Sequence, residues 1–232
     1  MKNIGLIGCG NIAETYFRAQ EYFNNINFVA CADINLDAAK KTADQYNIIP
    51  LSVDEILNDK NVDIILNLTI PQAHYEISKR ALEANKHVYC EKPMSVKFDE
   101  AKELLNLAKK NSLYIGNAPD TFLGGGGQLT RNLIDNNDIG QVLTGNFIFA
   151  FPGVQDFHPS PESWFQEGGG PVIDMGPYFF TTLVNLLGPV KNIRGRGAKF
   201  SDKREYKAGP KKGETFNVEI PTSYMFNIEF QN

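Results

Sequence analysis

The chain has 232 residues, 42% of them hydrophobic, 22% charged and 11% aromatic, a globular composition that excludes a disordered or fibrous protein. Its 23 Lys and Arg against 27 Asp and Glu leave a formal charge of −4, with cations scattered among anions, so nothing marks a nucleic-acid-binding surface. No apolar run is long enough to span a membrane, and the N-terminus lacks signal-peptide anatomy.

Through the first 120 residues short apolar runs alternate with helical patterns. Strands are predicted at Ile4–Ile7, Phe28–Ala32, Pro50-Leu51, Val62–Thr69, His87–Cys90 and Leu113–Ile115. Between them the periodicity predicts helices over Asn11–Phe23, Leu36–Tyr46, Asp54–Leu57, Gln72–Ala84 and Lys97–Lys110. Val62–Thr69 is almost continuously apolar, as in a strand buried on both faces. This alternation implies an α/β domain over residues 1–120 with a parallel sheet and crossover helices. Beyond residue 120 the rhythm changes. A glycine run, Gly124–Gly127, reads as a flexible entry to a helix at Gln128–Ile134. An alternating, strand-like segment at Val142–Phe151 and a Pro/Gly-rich loop follow, then a helix at Met175–Leu187. Strands are predicted at Val190–Gly195, Thr215–Ile220 and Ser223–Phe230. Residues 121–232 thus read as a second, α+β domain on an open, mostly antiparallel sheet.

The three cysteines, Cys9, Cys31 and Cys90, form no C-x-x-C pair and read as reduced thiols of a cytoplasmic protein; the three histidines, His74, His87 and His158, lack metal-ligand spacing. No metal is expected.

Gly8-Cys9-Gly10-Asn11-Ile12-Ala13 fits G-x-G-x-x-G/A between the first strand and the first helix. Gly8 permits the tight turn, Gly10 lets a pyrophosphate approach the backbone, and Ala13 is small enough for close helix–strand packing. Asp33 ends the second strand, 20 residues beyond Ala13, where a carboxylate accepts from the adenosine ribose 2′-hydroxyl and repels a 2′-phosphate. No cation follows at Ile34 or Asn35, so NAD is favoured over NADP. The plainer reading of Asp33 is a turn or cap residue.

Three further segments carry a pattern: Val62–Pro71 with His74, Ala81–Pro93 ending in Glu91-Lys92-Pro93, and Gly168–Tyr178 with Asp174-Met175-Gly176-Pro177-Tyr178. With the glycine turn they resemble the glucose–fructose oxidoreductase / inositol dehydrogenase (Gfo/Idh/MocA) family along the whole chain. The resemblance implies a Rossmann domain joined to a substrate domain whose open sheet often mediates oligomerisation. It also implies NAD(P)-dependent hydride transfer at a hydroxyl or carbonyl carbon of a sugar, polyol or related compound. It matches Lys92 to the lysine facing nicotinamide and substrate, and Asp174 to the acid of Asp-x-Gly-x-His. Tyr178 stands where many members have histidine. The cofactor contacts expected are Gly8, Gly10, Asn11, Ile12, Ala13, Asp33, Thr69, Pro71, His74, Glu91 and Lys92.

From the residues themselves, Asp174 and Tyr178 lie four apart and on a helix share a face. A Tyr178 phenol is a poor base at neutral pH unless a cation such as Lys92 stabilises its phenolate; Lys92 also polarises a substrate oxygen. Asp174 either holds the substrate hydroxyl or caps the helix after it. His74 either lines a pocket behind Thr69-Ile70-Pro71 or caps a helix. Asn117 and Asp120 are candidate substrate contacts, and Trp164 is a pocket aromatic or a loop anchor. A non-catalytic NAD- or sugar-binding regulator on the same fold is the competing reading. The C-terminal strand Ser223–Phe230, running to the end of the chain, predicts an unfinished sheet: a truncated substrate domain with an apolar edge covered in a homo-oligomer, the alternative being an inactive fragment of the enzyme.

Overall fold

The structure, a computed structural model, describes residues 1–158 and 160–231. The chain divides into two compact units, Met1–Ala118 and Pro119–Asn232. The first runs β1 (Lys2–Ile7), α1 (Ala13–Ala19), β2 (Ile26–Ala32), α2 (Leu36–Tyr46), β3 (Ile49–Pro50), α3 (Val53–Asn58), β4 (Ile64–Asn67), α4 (Pro71–Glu83), β5 (His87–Cys90), α5 (Phe98–Lys110) and β6 (Ile115–Asn117). The six strands form one parallel sheet in the order β3-β2-β1-β4-β5-β6. Strand order reverses between β1 and β4, and in such sheets ligands bind outside the carboxyl ends of the strands at that point.

The period of two along β1 divides the core. Ile7 packs with Ile56, Ile77, Leu82 and Leu104, from α3, α4 and α5. Its neighbour Leu6 packs with Ala13, Phe17 and Ala43, from α1 and α2, on the opposite face. The helix starts follow local chemistry. Asn35 accepts from the backbone N–H groups of Asp37 and Ala38 at the head of α2. Ser52 and Glu55 form a reciprocal capping box on α3, and Pro71 stands in the first turn of α4. α1 is shorter than its sequence pattern at both ends: Asn11 and Ile12 belong to the preceding turn, and the helix stops at Ala19 rather than Phe23.

In the second unit a 3-10 turn at Thr121–Leu123 precedes α6 (Gly125–Asp135), and further 3-10 turns lie at Val154–Asp156 and Glu162–Phe165. Then come α7 (Gly170–Asp174), α8 (Gly176–Leu187), β7 (Val190–Ala198), β8 (Lys203–Glu205), β9 (Thr215–Asn217) and β10 (Ser223–Phe230). β10 pairs antiparallel with β7, and β8 with β9. Gly195 and Gly197 lie opposite Phe226 and Tyr224. A Cβ on either glycine would meet the facing ring, at 2.6 Å from Phe226 Cδ1 and 2.8 Å from Tyr224 Cε1. Arg131 of α6 donates to the carbonyls of Asn185 and Leu186 at 2.9 and 2.7 Å, closing the C-terminus of α8.

Four expectations are corrected here. Val142–Phe151 is not a strand: it pairs with no strand among the described residues, and Phe147 and Phe149 lie on the Phe179 ring of α8. The ladder predicted to reach Ile220 stops at Asn217, and β8 lacked a sequence signal. Most of the Gly124–Gly127 run is the first turn of α6 rather than a flexible entry, and a Cβ on Gly127 would fall 1.9 Å from the Phe122 carbonyl oxygen. Asp174 does not cap a helix from Met175: it ends α7, and Met175 precedes α8 with no side-chain cap.

Candidate functional site

The carboxyl edge of the parallel sheet collects most of the residues singled out in the first unit. At the end of β1 Gly8 has φ +103°, and a Cβ there would lie 2.6 Å from the carbonyl of Leu68, so the close approach of the β1 and β4 turns requires glycine. Gly10 differs: it is exposed, and a Cβ built on it meets nothing within 4 Å. Nothing in the protein's own packing requires glycine there. Asp33 faces the same turn, with Oδ2 accepting from Cys9 N–H at 2.7 Å and Oδ1 from Asn35 N–H at 2.8 Å. Its neighbour Ile34 is fully exposed. The open backbone at Gly10 and the carboxylate beside the turn fit a dinucleotide.

The cysteines near this edge are ordinary thiols. Cys31 is buried and donates to the Ala39 carbonyl at 3.3 Å. The neighbouring Cys9 thiol pushes its pKa up, and the same contact lowers that of Cys9. Burial pushes Cys90 up to about 12. Among the described residues no group of His, Cys, Asp and Glu could hold a metal ion.

β4 ends on a buried polar network. Asn67 is fully buried; its Nδ2 donates to the His74 carbonyl and to Ser78 Oγ, both at 3.0 Å. Its Oδ1 accepts from Thr69 N–H at 3.2 Å and from Thr69 Oγ1 at 2.7 Å. Pro71 opens α4, and His74 sits inside that helix with 1% of its surface exposed. Its Nδ1 lies 2.6 Å from the Pro93 carbonyl oxygen and its Nε2 2.9 Å from that of Thr69. It therefore neither caps a helix nor presents a ring nitrogen to a pocket.

The Glu91-Lys92-Pro93 turn leaves β5 held from several sides. Glu91 Oε1 accepts from the Tyr16 hydroxyl at 2.7 Å, and Oε2 from Lys92 N–H at 2.9 Å. Asn117, at the end of β6, donates through Nδ2 to the carbonyls of Cys90 and Glu91 at 2.9 and 3.0 Å. The amide read as a substrate contact thus holds the chain around Lys92. The sequence reading missed Tyr16 and Asn67. Asn67 had a signal, as the one amide closing the apolar run Ile64-Ile65-Leu66; Tyr16 had none.

In the second unit Asp174 and Tyr178 are both half-buried and flank the joint between α7 and α8, where Tyr178 N–H donates to the Met175 carbonyl at 3.1 Å. The joint breaks the single helix on which they were expected to share a face. Gly168 and Gly170, with φ +86° and +85°, shape the approach to α7. Asp120 is exposed before the Thr121–Leu123 turn. Trp164 lies in the Glu162–Phe165 turn with its ring edge-on to Phe165 at 5.2 Å; its buried Nε1 has no hydrogen-bond partner among the described residues. Its packing against the cluster of Phe165, Tyr206, Phe216 and Val218 suits a loop anchor.

Comparison with known proteins matches both units. Residues 2–117 match the family described as "Oxidoreductase family, NAD-binding Rossmann fold", and residues 128–232 match the GFO/IDH/MocA C-terminal domain. The chain is 30% identical over 146 residues to inositol 2-dehydrogenase of Salmonella typhimurium, covering 60% of this chain and 43% of that protein. It is 28% identical over 162 residues to D-xylose dehydrogenase of Paenarthrobacter nicotinovorans, covering 68% and 42%. The solved structure of a levoglucosan dehydrogenase in complex with NADH and L-sorbose shares the fold, with a TM-score of 0.83 at 21% identity over 100% of this chain and 64% of that one. The matches span 39% to 61% of the length of the curated relatives. With the glycine turn, the Glu-Lys-Pro turn and both domain matches in agreement, the chain belongs to the Gfo/Idh/MocA oxidoreductase family.

Proposed function

We infer that this protein is an NAD-dependent oxidoreductase that transfers hydride between nicotinamide and a hydroxyl-bearing or carbonyl carbon of a sugar or polyol. The observation that carries the reading is the paired turns at the carboxyl edge: an open glycine turn held by Asp33, and a Lys92 turn braced by Glu91, Tyr16 and Asn117. The dinucleotide supplies the hydride chemistry. Gly8, Gly10, Asn11, Ile12 and Ala13 would hold its pyrophosphate, with Thr69 and Pro71 beside it. Asp33 would accept from the adenosine ribose. Asn35 is spent on capping α2 and Ile34 is apolar, so a 2′-phosphate finds no cation there and NAD is preferred over NADP.

Lys92 supplies a fixed positive charge at the oxygen on which negative charge develops. Tyr178 takes or returns the substrate hydroxyl proton. Asp174 holds a substrate hydroxyl. In this reading residues 1–120 carry the dinucleotide and residues 121–232 bind substrate and self-associate, through a β10 that leaves Met225 exposed. A panel of sugars and polyols with NAD, followed by NADH absorbance, tests the activity. NADH binding with no turnover on any of them would favour the non-catalytic regulator. Light scattering tests self-association.

A further inference from the structure

We propose that His74 is a positioning residue: its imidazole ties the turn after β5 to the turn after β4 and so sets where the Lys92 ammonium stands. The proposal rests on the reading of Lys92 given above. His74 comes four residues into α4 and turns inward, 1% exposed. Its two nitrogens reach in different directions to main-chain oxygens distant in sequence, Thr69 at 2.9 Å and Pro93 at 2.6 Å. A neutral ring donates to one of them, and a ring protonated on both nitrogens donates to both.

The residues touched make this more than a satisfied core histidine. Pro93 is bonded directly to Lys92. Thr69 is itself fixed through its N–H and hydroxyl to Asn67, and Asn67 Nδ2 donates to the His74 carbonyl at 3.0 Å. The ring and the amide therefore close a loop, Asn67 to Thr69 to His74 and back, from which one arm reaches to Pro93. On its other side the turn is braced by Glu91 Oε2, which accepts from Lys92 N–H, and by Asn117 on the carbonyls of Cys90 and Glu91. The His74 arm acts on the C-terminal side of Lys92, at Pro93, and Ser95 beyond it is held by Glu100. Without the His74 arm the turn loses its tie to the turn after β4.

The test compares H74Q and H74F with the wild type by hydrogen exchange of residues 91–94 and by steady-state kinetics on an accepted polyol. Phe keeps the ring outline but offers no nitrogen, while Gln keeps a single donor nitrogen. In H74F the Lys92 amide is expected to exchange about tenfold faster with β1 and β4 unchanged, and kcat to fall by about 10²-fold, the scale of a displaced catalytic group. KM for NAD should stay within a few-fold, since the lost interaction is specific to the reacting end. H74Q should fall between H74F and wild type in both exchange and kcat. Should H74F not fold, H74Q decides: intermediate loss of kcat at unchanged KM for NAD supports the clamp. Wild-type exchange and kcat in the folded variant overturn it, as does loss of kcat and NAD affinity in equal proportion. If the wild type turns over no sugar or polyol, the functional reading fails, while the exchange measurement still decides the clamp.

Discussion

Asp33 accepts a hydrogen bond from the backbone N–H of Cys9 at 2.7 Å, so the end of β2 holds the turn after β1. The carboxylate thus shapes the glycine turn, and it is the group proposed to accept from the adenosine ribose. D33A is expected to weaken NAD binding about tenfold or more, the scale of losing hydrogen bonds to a charged group. It should also raise the ratio of kcat/KM for NADP to that for NAD. An unchanged ratio would show that cofactor choice is made elsewhere.

Gly8 and Gly10 are expected to respond differently to the same substitution. G8A forces a Cβ into the Leu68 carbonyl at a positive φ, which costs roughly 2–5 kcal/mol and lowers Tm by roughly 5–15 °C. G10A meets only open space, so its melting should match wild type. It should nevertheless weaken NADH binding about tenfold, or roughly 1.4 kcal/mol. Thermal melts and NADH titrations on both variants separate the two roles; normal NADH affinity in G10A removes the backbone approach from the binding model.

For Lys92 the expected outcome is a split. K92A should lower kcat by about 10²-fold or more, the scale of losing a donor to a developing charge, while leaving the Kd for NADH within a few-fold. Parallel loss of both would reassign Lys92 to cofactor binding.

Glu162 offers a pH dependence. Its carboxyl is held down to about 2, first by the Tyr206 hydroxyl and then by the Lys211 ammonium at 2.9 Å. A depressed carboxylate stabilises the fold above its unfolded pKa, near 4.3, and loses that contribution as pH falls toward 2. The pair is partly solvated, so the effect is small and salt-sensitive. Urea midpoints for wild type should exceed those of E162Q at pH 6 and converge with them by about pH 2. A constant difference across that range contradicts the assignment.

The parallel sheet and glycine turn were legible because their signals are local: an apolar run, two glycines and an acid at a set distance. The rest depends on partners that no local pattern carries. Val142–Phe151 alternates like a strand, but alternation specifies a face and not a neighbour, and Phe147 and Phe149 found the Phe179 ring instead. Asp174 and Tyr178 have helical spacing, but the Gly176-Pro177 pair starts a new helix between them. His74 and Asn117 were recognisable as special residues and were aimed at ligands. Their side chains in fact engage backbone carbonyls near the Lys92 turn, and those contacts, 19 to 27 residues away in sequence, exist only once the sheet is assembled.

The glycine and aromatic facing of β7 and β10 amounts to a lock on alignment. Arg194 and Arg196 flank Gly195, and Arg196 separates it from Gly197. Sliding β10 by one position would set Phe226 opposite Arg194 or Arg196 and Tyr224 opposite Arg196 or Ala198, and turn both rings to the other side of the ladder. Only the native alignment gives each ring a bare backbone to lie over, so two residues without side chains specify how two strands meet.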